Sequence, residues 1–137
     1  AFGLGVPQTV KVTIPSAQIL AGNTTPVQLV AAQGSGLTAV PISFVEIYNY
    51  GSAAYATNTT QAIFYNGKAI ATQFLAQISQ LTLQQTANVS LSAAIVSPVI
   101  QDTIASNEPI MWGIQTGDPT AGDGTIEIYL TYIVINL

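Results

Sequence analysis

The chain has 137 residues, enough for one domain with a real core, and only 6% of them are charged against about 25% in a typical soluble domain. With no Cys, His or Arg, it lacks the residues for His or Cys zinc sites, for Ser-His-Asp or Cys-His catalysis and for disulfide frameworks. A net charge of −4, with Lys11 and Lys68 as the only cations, cannot neutralise a run of phosphates, so no nucleic-acid partner is expected.

Surface polarity must come from Gln, Thr, Ser and Asn, which satisfy water but repel neighbouring molecules weakly. Such a surface tolerates close packing against copies of itself. Disorder is not expected, because Ile, Val, Thr and Tyr are plentiful.

AFGLGVP at residues 1–7 sets Phe2, Leu4 and Val6 among two glycines and a proline. It can extend but has little means to fold alone, and it reads as an arm that docks onto a neighbour. It has no basic region followed by a long apolar stretch, so it is no intact signal peptide. Residues 8–137 read as a single domain.

Within that domain, short β-rich runs end in Gly, Pro, Asn or Ser. QTVKVTI (8–14) alternates. TPVQLVAA (25–32) follows AGNTT and is closed by QGSG, and TAVPISFVEIYNY (38–50) runs to GSAA. QAIFY (61–65) stops at Asn66-Gly67. NVSLSAAIV (88–96) precedes Pro98, EPIMWGIQT (108–116) follows, and TIEIYLTYIVINL closes the chain. The exception is 68–85, where Ile70, Phe74, Ile78 and Leu81 recur at helical spacing. The periodicity supports a short helix around Phe74, near residues 70–80, while the Thr and Ile there equally allow a strand. Seven or eight short strands at near-regular spacing predict an all-β, antiparallel β-sandwich, jelly-roll-like.

In the last strand, Ile126, Ile128, Leu130, Tyr132 and Val134 form one apolar face. The opposite face starts polar and ends in Ile133, Ile135 and Leu137, so its end is expected to be covered by a second sheet or another subunit. Together with Phe2, Leu4 and Val6, these three are the candidate interface residues. No apolar run approaches the roughly 18 to 20 residues of a membrane-spanning helix. The most apolar segment contains Glu127 and Asn136, so no membrane partner is expected.

TGDPTAGDGT (116–125) offers the one candidate cation site, Asp118 and Asp123. An EF-hand loop needs more oxygen ligands and a closing Glu, so the match is poor. Asp118-Pro119 and Asp123-Gly124 read better as turn dipeptides, with Asp bonding nearby amides and Gly124 accepting positive φ. No metal or cofactor is expected. Trp112 and Tyr48, Tyr50, Tyr55, Tyr65, Tyr129 and Tyr132 could form a sugar-stacking platform, but packing explains them more simply.

TPVQLVAAQGSG, then ISFVEIYNYGSAAYATNTTQAIFY, closed by TGDPTAGDGTIEIYLTYIVI, resembles a group of small β-rich virion proteins of tailed bacteriophages and prophages. The likeness covers most of the chain and rests on structural motifs: the Pro26–Leu29 strand opening, the Tyr50–Tyr55 hairpin and the closing Gly-Asp-Pro turn. It implies a place in the virion as a capsid decoration, auxiliary head or fibre-attachment subunit, with no enzymatic activity. The low charge and the two-sided apolar end of the last strand predict self-association as a small symmetric oligomer such as a trimer, and the expected further partners are other virion proteins such as the major capsid protein. The alternative is a carbohydrate-binding jelly-roll module of a fibre or adhesin, using Tyr side chains and the 116–125 loop with a cation. A glycosidase with two facing carboxylates is more remote.

Overall fold

The computed structural model describes residues 4–95 and 106–137. The described strands are β1 (Gln8–Ile14), β2 (Val27–Val30), β3 (Leu37–Asn49), β4 (Gln61–Tyr65), β5 (Ala76–Ile78), β6 (Val89–Ala94), β7 (Ile110–Ile114) and β8 (Thr125–Asn136). One antiparallel sheet runs β1-β8-β3-β6 and the other β2-β7-β4-β5. Among the described strands every successive pair except β4 and β5 changes sheets, and the two antiparallel sheets give the expected all-β sandwich.

The alternation read from the sequence sets which side chains face inward. On β8, Ile126, Ile128 and Leu130 are fully buried while Glu127, Tyr129 and Thr131 are only partly covered. β3 lies against β8 over its whole length, with Glu46 opposite Ile128 and Tyr48 opposite Ile126. Their register shifts between Pro41 and Ser43. Proline has no N–H for the ladder, which accounts for the irregularity there.

Ile14, Phe44, Ile126, Ile128 and Leu130 from one sheet meet Leu29, Ile63, Ile110, Trp112 and Ile114 from the other in one core cluster. Each such side chain contributes about 1.5–3 kcal/mol when fully buried. Tyr65 ties the layers further, its hydroxyl donating to the Ala39 carbonyl at 2.6 Å.

All five residues of β4 are buried, so both faces of that strand are covered. The chain after β4 covers its outer side: a Cβ on Gly113 of β7 would lie 2.7 Å from Ile70 Cδ1 and 3.3 Å from Phe64 Cε1. Gln115 Nε2 donates to the Ile70 carbonyl at 2.8 Å and fastens the covering segment.

This segment holds no helix near 70–80, which corrects one of the two sequence readings. Turns lead into β5, so the strand alternative holds. The helical spacing was coincidental: Ile70 covers the outside of a sheet, Ile78 is in the core and Leu81 is 57% exposed. The described helix is instead α1 (Ser16–Leu20), which follows an extended Pro15 and buries Ile19. Of the expected strand 88–96, β6 takes Val89–Ala94, and Val96 lies outside the described residues. No helix among the described residues is long and apolar enough to cross a membrane.

Candidate functional site

The β7–β8 loop holds both candidate aspartates at one end of the sandwich, and each binds a different distant loop. Asp118 Oδ1 accepts the backbone N–H groups of Asn23 at 2.8 Å and Thr24 at 2.9 Å, and Oδ2 accepts the Thr24 hydroxyl at 2.5 Å. Asp123 repeats the arrangement with the β3–β4 loop. Its Oδ1 accepts the N–H groups of Ser52 at 2.8 Å and Ala53 at 2.9 Å, and its Oδ2 accepts the Ser52 hydroxyl at 2.5 Å.

The Thr24 hydroxyl, followed by the backbone amides, holds the Asp118 carboxyl below the ordinary carboxylate range. The Ser52 hydroxyl does the same for Asp123. Bonds of this kind to an ionised acceptor favour the charged form. The two carboxylates are therefore chiefly fasteners to loops 70 to 95 residues away in sequence. Among the described residues, no three Asp or Glu side chains gather where they could hold a metal ion.

Other contacts lock the same loop. Ala56 and Thr120 form an antiparallel bridge, Asn58 Nδ2 donates to the Asp118 carbonyl at 3.1 Å, and the Tyr55 hydroxyl donates to the Gly124 carbonyl at 2.6 Å. Positive φ falls on Thr116, Ala121 and Gly122, not on Gly124 as the dipeptide suggested. Gly124 is needed for closeness, since a Cβ there would lie 2.6 Å from the Asn49 carbonyl oxygen and 2.7 Å from Tyr48 Cε1.

The candidate interface residues fall at the far end of β8. Leu4 bridges Val134 of its own chain, and the Gly5 N–H donates to the Val134 carbonyl at 2.8 Å. Val6 is 55% exposed and Leu137 51% exposed, while Ile133 and Ile135 are half-buried opposite Val40 and Thr38 of β3. Phe2 lies outside the described residues.

These isoleucines sit on the outer face of the β1-β8-β3-β6 sheet. Further along that face, Thr9, Thr131 and Ser43 form one row and Lys11, Tyr129, Val45 and Ser92 another. Lys11 pairs with Glu127 at 3.0 Å and lies 5.5 Å from the Tyr129 ring centre. Of the aromatics, Trp112, Tyr48, Tyr55 and Tyr65 are buried. Tyr50, Tyr129 and Tyr132 are partly exposed.

The sequence reading missed Glu46, which is fully buried between the sheets. Its signal was present: at period two it falls between Phe44 and Tyr48, both core residues of the same strand.

No protein-family model matches the chain, and no curated protein matches it. Among solved structures it is similar to a chain of the cyanophage Pam1 capsid asymmetric unit, with 13% identity and a TM-score of 0.47 over 97% of this chain and 87% of that one. No role is read from a similarity that slight.

Proposed function

We propose that this chain is a non-enzymatic structural component of a bacteriophage virion. It binds the outside of a capsid, or joins head components, as a small symmetric oligomer. The observation that carries this reading is the outer face of the β1-β8-β3-β6 sheet, where Val45 is 38% exposed among short hydroxyl side chains, with Ile42, 39% exposed, at the register shift beside it. A sheet face with few charges, ending in Ile133, Ile135 and Leu137, suits another protein surface better than a small polar ligand.

The sequence resemblance to phage virion proteins supports the same reading and supplies the setting. Binding an assembled shell better than its free subunits shifts the equilibrium toward the shell by mass action, with no bond made or broken. Trp112, Tyr48, Tyr55 and Tyr65 are in the core, so the lectin-like alternative keeps only Tyr50, Tyr129 and Tyr132 for stacking.

Two measurements test the proposal. Sedimentation of the purified chain reads its oligomeric state, and co-sedimentation with capsids of the source phage reads attachment. An oligomer that pellets with shells but not with free capsid subunits is expected. A folded monomer that ignores shells would overturn the reading.

A further inference from the structure

A chain of three buried polar side chains crosses the core. Trp112 on β7 donates its indole N–H to Gln61 Oε1 at 2.9 Å, and Gln61 Nε2 donates to Glu46 Oε1 on β3 at 2.9 Å. All three residues are fully buried. An indole N–H can only donate, so it fixes the Gln61 carbonyl toward Trp112 and the Gln61 NH₂ toward Glu46. Glu46 Oε1 is therefore an acceptor, and any proton on this carboxyl belongs on Oε2. That oxygen is buried and meets no hydrogen-bond partner among the described residues.

Ionised, Glu46 would be a charge in the core with one neutral hydrogen bond. Its strand neighbours are Ile128 on β8 and Leu91 on β6, and the facing strands β4 and β7 present Gln61 and Trp112, none of which titrates. Among the described residues, the other titratable groups in or against the core are the phenols of Tyr48, Tyr50, Tyr55, Tyr65 and Tyr132, and burial is the chief cause that raises the pKa of Tyr48, Tyr55 and Tyr65. Lys11 is paired with Glu127 on the outer face, and Asp118 and Asp123 are bonded at the loop end. Lys68 and Glu108 lie in connecting segments.

We propose that Glu46 is a proton-operated latch between the two sheets: as a neutral acid it completes the Trp112–Gln61 chain and lets the sandwich close, and its ionisation favours an opened state. Burial pushes the carboxyl up to about 7, against the opposing pull of the Gln61 hydrogen bond. The folded chain thus holds this proton more tightly than the unfolded chain does. Its contribution to stability is complete below the ordinary glutamate range and is lost as pH rises through about 7. The chain has no His and no Cys, so few other groups titrate in that window.

Thermal melts of the parent and Glu46→Gln between pH 5 and 9 test the latch. The parent midpoint should fall by about 10 °C across the range, while Glu46→Gln, which keeps shape and hydrogen bonding without a proton to lose, should stay nearly level. A Glu46→Gln profile that falls as steeply as the parent's would overturn the proposal. Should that variant fail to fold, infrared spectra of the folded parent decide alone. A protonated-carboxyl band at pH 6 that disappears above pH 8 is expected, and absence of the band at pH 6 would overturn the latch.

Discussion

Asp123 reaches Ser52, 71 residues earlier in the chain, and accepts both its backbone N–H at 2.8 Å and its hydroxyl at 2.5 Å. Asp118 holds Thr24 in the same double fashion. An Asn in either place keeps an oxygen for the two backbone N–H groups but exchanges the charge-assisted bond from the hydroxyl for a neutral one donated to it, so the fastening weakens. Asp118→Asn and Asp123→Asn should each lower the melting temperature. They should also speed proteolysis in 15–26 or 50–60, the loop each aspartate holds. Calcium and chelator melts of the parent should superimpose. A calcium-dependent rise abolished by Asp123→Asn would restore the cation-site reading.

The same two carboxylates set the behaviour in acid. Both are held below the ordinary value of 3.8, so the folded chain gives up these protons more readily than the unfolded chain does. Their contribution is present above that value and is lost as pH falls through the lower folded value. Melts from pH 5 down to 2 should show the parent midpoint falling in the lower part of the range. The double variant Asp118→Asn/Asp123→Asn should start lower and fall less. Equal slopes would mean that other carboxyls, such as Glu127 with its Lys11 partner, govern the acid limb.

Gly124 separates two causes that a turn dipeptide confounds. Its backbone does not have positive φ, so conformational strain predicts no cost for alanine there. Contact predicts a cost, because the added Cβ meets the Asn49 carbonyl oxygen at 2.6 Å and the Tyr48 ring at 2.7 Å. Gly124→Ala should destabilise by about 1–3 kcal/mol in urea unfolding, the usual penalty for overpacking. A neutral result would mean that β3 and β8 can part locally at no cost.

The elements that were legible in the sequence are short β-rich runs with clear turn residues at their ends. β1 and β4 match the runs 8–14 and 61–65, since each is a β-rich segment bounded by turn residues. The stretch 68–85 misled because Ile70, Ile78 and Leu81 answer to three different environments, and spacing carries no record of which sheet a side chain covers. α1 was missed because five residues are too few to show a helical period. At the loop, the aspartates stood out but their partners did not, since Thr24 and Ser52 are ordinary loop residues until the strand order brings them there.

The two faces of β8 should respond differently to substitution, and the difference isolates assembly from folding. Ile128 is fully buried in the core, so Ile128→Ala should cost about 2–5 kcal/mol of stability, the range for truncating a large aliphatic side chain in a packed interior. Ile135 lies on the outer face, half-buried opposite Thr38 and one residue past the Val134 bridge to Leu4. Ile135→Ser removes little from the core and places a hydroxyl where water can reach it, so the monomer should keep most of its melting temperature. If that face meets another copy or a capsid surface, the hydroxyl is carried into a desolvated contact and association should weaken at least tenfold, about 1.4 kcal/mol or more. Sedimentation of both variants over a range of concentrations reads the two effects separately. Association by Ile135→Ser at parental strength would remove this end of β8 from the interface and leave the row around Val45 and Tyr129 as the surface to vary next.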